Sequence, residues 1–182
     1  EKTIEFIREQ NGVPWFFSYN CFAPHHPFDP PADFLARYNA DGMPLPKNKP
    51  GELDTKPTYQ QLDGRFSHND PDGYDMAKMT DRDKQEITAA YYAMIELIDK
   101  QVGRMVGALE DTGQLDNTIV IFMSDHGEML GDHGFYLKGP HFYDEAVRVP
   151  LIISWKDRIQ SEVRADCLME LIDIVPTLLE AS

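Results

Sequence analysis

Cysteine and tryptophan are rare in this sequence, and basic residues are outnumbered by acidic ones. Among 182 residues there are two cysteines and two tryptophans, and 17 lysines and arginines stand against 31 aspartates and glutamates, for a formal net charge of −14. Cys21 and Cys167 lie far apart. Two cysteines with this spacing establish neither a disulfide framework nor a cysteine-based zinc site, and they leave the cellular compartment open.

The shortage of positive charge restricts the partners of the chain. Nucleic acids and anionic membrane surfaces are bound through basic patches, so the net charge of −14 argues against both. No apolar run approaches the roughly 20 residues that a membrane-spanning helix needs. Residues 1–10 are charged and amphipathic, unlike a signal peptide. An anionic substrate would need local cations to overcome the overall charge.

The rest of the composition is that of a globular protein, with 42% hydrophobic and 11% aromatic residues. A chain of this length corresponds to one domain, and we expect residues 1–182 to be part of one. Between about 41 and 80 the hydrophobic periodicity is weak, and Gly, Pro, Asn, Asp and Lys dominate. About forty irregular residues inside a compact domain indicate a long insertion that has a function or covers a partner. We call residues 41–80 the excursion. A solvated loop without a role is the alternative.

Apolar spacing predicts a fold of helices and buried strands. In Thr80–Thr112 apolar residues recur every three or four positions, Thr80 and Asp83 form a capping pattern, and Gly113 is a helix stop. Shorter patterns predict helices at 3–10, 33–38 and 168–179. Continuous apolar runs predict strands at 14–19, 119–123 and 148–155.

The strand at 119–123 ends in Ser124, Asp125, His126 and Gly127. Open α/β sheets bind ligands at the carboxyl ends of their strands, so Asp125 and His126 are candidate metal ligands. Adjacent residues of a regular strand point to opposite faces. Both side chains can face one ion only if the chain leaves strand geometry, which Gly127 favours. The alternative is a polar loop in which Asp125 caps a turn.

A second polar segment, Pro24-His25-His26-Pro27-Phe28, follows the strand at 14–19. The order strand, long helix, strand is typical of a right-handed parallel unit. In such a unit both strand ends open on the same edge of the sheet. We therefore expect His25 to approach Asp125 and His126, and the two segments to form one active site. The alternative for the histidines is a rigid surface turn.

Together these segments resemble the sulfatase family of the alkaline-phosphatase-like superfamily. Residues 124–155 read S-D-H-G-E-M-L-G-D-H-G-F-Y-L-K-G-P-H-F-Y-D-E-A-V-R-V-P-L-I-I-S-W, and A-P-H-H-P-F matches the family's P-H-x-P-F element. The resemblance implies an α/β fold, an alkaline-phosphatase-like α/β/α sandwich with a mostly parallel central sheet, of which this chain is a part. It implies that 1–182 belong to one sulfatase catalytic domain.

The resemblance also implies roles for individual residues. Asp125 and His126 would help to hold a divalent metal, Lys138 would bind the sulfate oxygens, and His25 would contact the sulfate and assist the leaving alcohol. His133, in G-D-H-G, is a further candidate for substrate binding. A solvated surface lysine is the alternative for Lys138. The implied metal is Ca²⁺, which suits Asp125, whereas an imidazole such as His126 suits Zn²⁺ better.

The chain departs from the family pattern at the nucleophile. Sulfatases convert a Cys or Ser of a Cys/Ser-x-Pro-x-Arg motif to formylglycine, and the chain contains no such motif. We therefore interpret it as a fragment of a sulfatase, a metal-dependent sulfuric ester hydrolase, which is inactive without the missing region.

Two other interpretations stay open. One is a phosphodiesterase or phosphonate monoester hydrolase of the same superfamily, with Zn²⁺ or Mn²⁺. The other is a non-catalytic remnant or interaction domain. The expected partner is a sulfated small molecule or glycan, and a truncated sheet edge would favour self-association. Most relatives are periplasmic, secreted or lysosomal, but the compartment of this protein stays unassigned.

Overall fold

The computed structural model describes residues 1–10, 12–66 and 78–182. Within these ranges the helices are α1 (Lys2–Glu9), α2 (Ala32–Leu35), α3 (Thr58–Phe66), α4 (Asp81–Asp111), α5 (Asp144–Val147) and α6 (Ile174–Ala181). The strands are β1 (Val120–Met123) and β2 (Leu151–Ser154). Short 3₁₀ turns lie at Ala40–Gly42, Glu52–Thr55, Leu115–Asn117, Asp132–Gly134 and Leu171–Asp173.

Helix α4 has the predicted extent and the predicted ends. The hydroxyl of Thr80 accepts from the N–H of Asp83, and the Asp83 carboxylate accepts from the N–H of Thr80, which forms a capping box. Gly113 follows the helix with φ +68°, as a left-handed stop. The most buried positions include Ala89, Ala90 and Ala93, so small side chains let neighbouring segments approach this helix closely.

The predicted parallel pairing of the strands at 14–19 and 119–123 does not occur in the described residues. β1 and β2 pair antiparallel, with Val120 opposite Ser154 and Met123 opposite Leu151. Residues 14–19, predicted as a strand, form neither strand nor helix. Trp15 instead packs against Phe6 of α1, with ring centroids 5.6 Å apart. A strand needs a neighbour for its ladder hydrogen bonds, and in the described residues the segment pairs with none.

Buried side chains form clusters at the C-terminal end of α4 and under the loop after β1. Ile4 and Ile7 of α1 pack against Ala108 and Leu109 of α4. A second cluster lies between β1 and β2 in sequence, and its buried members are Met129, Phe135 and Ala146. This cluster supports the loop that carries Asp125, His126 and Lys138.

The segment 41–80 contains more regular structure than its composition predicts. The 3₁₀ turn Glu52–Thr55 and helix α3 lie within it, and part of the predicted excursion, residues 67–77, lies outside the described residues. The predicted helix at 168–179 is divided into a 3₁₀ turn, Leu171–Asp173, and α6. Among the described helices none combines the length and apolar character required to cross a membrane.

Candidate active site

His25 and Lys138 are in direct contact although 113 positions separate them in sequence. The Nζ atom of Lys138 lies 2.6 Å from Nε2 of His25, and Nδ1 of His25 lies 2.8 Å from the carbonyl oxygen of His26. An ammonium group has no acceptor, so Lys138 donates to Nε2. The ring proton of His25 is therefore on Nδ1, donated to the His26 carbonyl.

His126 lies next to this pair at the end of β1. Its ring centroid is 6.4 Å from that of His25. Nδ1 of His126 lies 2.8 Å from the carbonyl oxygen of Gly127, and a carbonyl can only accept, so the ring proton is on Nδ1. A hydrogen bond from one ring nitrogen to a carbonyl is how proteins orient a metal-binding histidine. It leaves Nε2 of His126 with a free lone pair.

Asp125 adds oxygen donors to this end of the strand. It is exposed, and its Oδ1 accepts from the N–H of His126 at 3.0 Å. An ionised carboxylate offers about four acceptor positions, so this bond leaves capacity for a cation. The donor set therefore fits a divalent metal in its chemistry. Within the described ranges there is no group of three or more such side chains, so Asp125 and His126 supply only part of a coordination shell.

Gly127 brings the site against the backbone near α5. Its N–H donates to the carbonyl oxygen of Ala146 at 2.8 Å. A Cβ at this position would lie 2.9 Å from the carbonyl carbon of Glu145 and closer still to its oxygen. The predicted role of Gly127 was to release the chain from strand geometry; the structure adds that no side chain fits here.

Replacing Gly127 with alanine is therefore expected to destabilise the protein by roughly 2–4 kcal/mol, because backbone atoms must move to relieve the overlap. Denaturant unfolding measures the change. Gly107→Ala is the matched control: a Cβ there meets nothing within 4 Å, and alanine in a helix interior is favoured over glycine by about 0.5–1 kcal/mol. Equal stability changes of the two variants would contradict the close packing at Gly127.

Glu128 is a half-buried carboxylate that the sequence analysis did not single out. It accepts the N–H groups of Leu130, at 3.2 Å, and of Leu137. Both leucines have positive φ, 45° and 65°. This conformation costs roughly 1–3 kcal/mol per residue and persists only where the surroundings enforce it. Burial raises the pKa of Glu128, while the two N–H groups and Lys138 oppose the shift. The sequence signal that could have indicated this role is the position of Glu128, directly after D-H-G and before two apolar residues.

His133 belongs to a different cluster from His25. Its Nδ1 lies 2.7 Å from Oε1 of Glu52, and its ring stacks on Tyr143 with centroids 4.2 Å apart. Glu145 Oε2 is 3.5 Å from its Nε2. These contacts connect the 3₁₀ turn at Glu52–Thr55 with the loop after β1, which is a structural use of the side chain.

The Glu52–His133 pair predicts an acid-sensitive contribution to stability. The hydrogen bond from His133 holds the pKa of Glu52 below its ordinary value of 4.5. Such a carboxylate stabilises the fold above the unfolded-state pKa, and the contribution is lost as pH falls through the folded-state pKa. Glu52→Gln is expected to lower the unfolding free energy by about 1 kcal/mol at neutral pH, a difference that shrinks below pH 4.5. Unfolding curves at several pH values, with Glu9→Gln of α1 as control, measure it.

Comparison with known proteins shows which proteins this chain is similar to. A sequence model of the sulfatase family matches residues 1–182. The multifunctional alkaline phosphatase superfamily protein PehA of Trinickia caryophylli is 34% identical over 191 residues, covering 99% of this chain and 36% of PehA. An arylsulfatase of Clostridium perfringens is 34% identical over 188 residues, covering 98% of this chain and 36% of that protein. The chain thus spans 36% of the length of each.

Among solved structures, the phosphonate monoester hydrolase SpPMH from Silicibacter pomeroyi superposes on the chain with a TM-score of 0.73. The two share 29% sequence identity, and the similarity covers 85% of this chain and 32% of that chain.

Proposed function

The chain belongs to the sulfatase family, and we propose that the natural protein containing it hydrolyses sulfate esters at the site formed by His25, Lys138, Asp125 and His126. The α/β, alkaline-phosphatase-like fold predicted from the sequence is confirmed by the similarity to SpPMH. The observation that carries the proposal is the contact of Lys138 with His25, beside His126 at the end of β1.

Lys138 supplies the local positive charge that an anionic substrate needs in a chain of net charge −14. Two unit charges about 4 Å apart attract by roughly 4 kcal/mol at an effective dielectric of about 20. In the free site the ammonium donates to His25. When a sulfate ester binds, the other N–H groups of the same ammonium can donate to sulfate oxygens, which stabilises the charge of the transferred group.

His25 is placed to donate a proton to the oxygen of the leaving alcohol. Its Nε2 carries a lone pair in the free site, because the ring proton is on Nδ1 and the Lys138 ammonium donates to Nε2. Uptake of a proton from solvent at Nε2 would convert His25 into the acid that donates to the leaving oxygen, while Lys138 keeps its own proton and its positive charge. Lys138 and His25 then act as one unit that binds the anion and delivers the proton.

Sulfatases generally use a divalent metal, and the donor atoms of Asp125 and His126 fit one. We propose that these two residues hold Ca²⁺ together with ligands from outside the described residues, where the metal would polarise the sulfate oxygens. No cysteine or serine of the chain lies in a Cys/Ser-x-Pro-x-Arg motif. We accordingly place the nucleophile outside these 182 residues and expect the isolated chain to be inactive.

A second candidate is hydrolysis of phosphonate monoesters. The imidazole of His126 favours Zn²⁺ over Ca²⁺ by ligand type, and SpPMH, which shares the fold, is named as a phosphonate monoester hydrolase.

Turnover of two aryl esters separates the candidates. The natural protein is purified, its bound metal is quantified by mass spectrometry, and the kcat/KM values for 4-nitrophenyl sulfate and 4-nitrophenyl phenylphosphonate are compared. A larger value for the sulfate together with bound Ca²⁺ supports the first proposal. A larger value for the phosphonate with Zn²⁺ or Mn²⁺ supports the second. A sulfated monosaccharide tests glycan substrates, and turnover of none of the three supports a non-catalytic domain.

A further inference from the structure

His141 lies three positions after Lys138, and its side chain is 1% exposed. Nε2 of His141 lies 2.6 Å from Oδ2 of Asp63 in α3. The ring is covered by Tyr59, stacked at a centroid distance of 5.8 Å, and by Phe135 at 4.6 Å. His141 is thus a buried polar side chain whose hydrogen bond crosses from the loop after β1 to the excursion.

The proton on the His141 ring can be assigned from these contacts. Nδ1 is buried and has no hydrogen-bond partner among the described residues. A buried N–H without an acceptor is costly, whereas Nε2 faces a carboxylate. The proton is therefore on Nε2 and is donated to Asp63, a charge-assisted bond of the strong class.

Helix α3 packs directly on the residues that follow Lys138. A Cβ at Gly139 would lie 2.7 Å from Oδ2 of Asp63 and 3.0 Å from the His141 ring, so the Asp63–His141 pair lies directly against the backbone of Gly139. One turn earlier in α3, Gln60 Oε1 accepts from the hydroxyl of Tyr143 at 3.1 Å. Helix α3 and the segment 139–143 thus form one packed unit.

Two hydrogen bonds anchor the backbone on either side of Lys138. On its N-terminal side the N–H of Leu137 donates to half-buried Glu128, and on its C-terminal side His141 donates to Asp63. Lys138 itself is exposed, and a free lysine side chain carries about 2 kcal/mol of rotamer entropy. Its contact with His25 therefore depends on a backbone that is held in place by the anchors.

We infer that Asp63 and His141 form a positioning pair through which the excursion holds Lys138 against His25. The inference rests on the proposed function of Lys138 in binding the anionic ester. In this scheme α3 helps to hold the active site in place. Asp63 does not touch the substrate in this scheme; it acts through Lys138.

Kinetics of variants in the natural protein test the pair. Asp63→Ala is expected to lower kcat/KM for the ester that is turned over by about 10- to 100-fold, the scale of a displacement of about 1 Å at a catalytic group. Asp63→Asn keeps an acceptor for the Nε2–H and is expected to stay within about twofold of the wild type. Gln61→Ala, which removes a neighbouring α3 side chain bonded to the carbonyl oxygen of Lys56, is the matched control.

A double-mutant cycle separates positioning from a general loss of folding. If Asp63 acts through Lys138, Asp63→Ala has no further effect on kcat/KM in a Lys138→Ala background. An equal loss in both backgrounds, or a loss by Asp63→Asn as large as that by Asp63→Ala, overturns the inference.

A second readout does not depend on turnover. The rate of trace acylation of Lys138, followed by peptide mass spectrometry, is expected to rise severalfold in Asp63→Ala, because the amine leaves His25. Lys156, which pairs with Asp116 at 2.6 Å, is the internal control. An unchanged rate at Lys138 overturns the positioning pair even if the protein hydrolyses esters. A wild-type protein that hydrolyses none of the three test esters refutes the proposed function, while the acylation rate still decides whether the pair positions Lys138.

Discussion

Replacing Asp125 with alanine in the natural protein is expected to remove bound metal and to lower kcat/KM for its ester substrate by about 10³-fold or more. Asp125 supplies the carboxylate oxygens at the end of β1, and His126 beside it supplies one nitrogen. Hard cations such as Ca²⁺ depend on carboxylate oxygen ligands, so the remaining nitrogen does not compensate. Metal content per protein and steady-state kinetics measure the two effects.

The control for this variant is Asp99→Ala, an exposed carboxylate on α4 that removes the same charge away from the site. It is expected to keep metal and activity. Chelation of the wild type by EDTA should reproduce the Asp125→Ala loss and lower the midpoint of thermal unfolding, because a metal that binds only the folded state stabilises it. Full metal content in Asp125→Ala would contradict the assignment of Asp125 as a ligand.

Replacing Lys138 with alanine is expected to lower kcat/KM by about 10²- to 10³-fold, the loss typical when one preorganised donor to a developing negative charge is removed. The ammonium is the cation that contacts His25, and the chain around it is strongly acidic. Without it, both the attraction of the anionic ester and the stabilisation of the transferred group are lost. The effect should appear in kcat as well as in KM.

His25→Ala and the double variant show whether Lys138 and His25 act as one unit. If they do, the double variant is no slower than the worse single variant, because residues in one network are not additive. Lys156→Ala, which removes an exposed lysine paired with Asp116, is the charge control. Additive losses from Lys138→Ala and His25→Ala would contradict the shared role and leave two independent groups.

Features that depend on residues close together in sequence were predicted well. The cap of α4 uses Thr80 and Asp83, three positions apart, and its stop uses Gly113; both are present. The end of β1 at Met123, with Asp125 and His126 directly after it, also agrees with the apolar run. A helix cap and a strand end are decided by side chains within one turn or a few residues, which a single sequence displays.

Contacts between distant residues needed the structure. The sequence predicts that His25 approaches the strand end, but the 2.6 Å contact with Lys138 and the placement of the ring protons come from packing. For His133, which stays a candidate for substrate binding, the contacts with Glu52 and Tyr143 likewise come from packing. A side chain's partner depends on which segments pack together, and periodicity does not specify that.

The sequence by itself determined the family, the fold class and the types of chemical group available at the end of β1, because these follow from local motifs. Tertiary structure alone decided that β1 and β2 run antiparallel, that Glu128 is half-buried, and that Asp63 reaches His141 across 78 positions. Burial and long-range hydrogen bonds arise only when distant segments of the chain pack together. The sequence specifies which residues can carry a charge, whereas the fold determines how exposed each one is to solvent and which residue it pairs with.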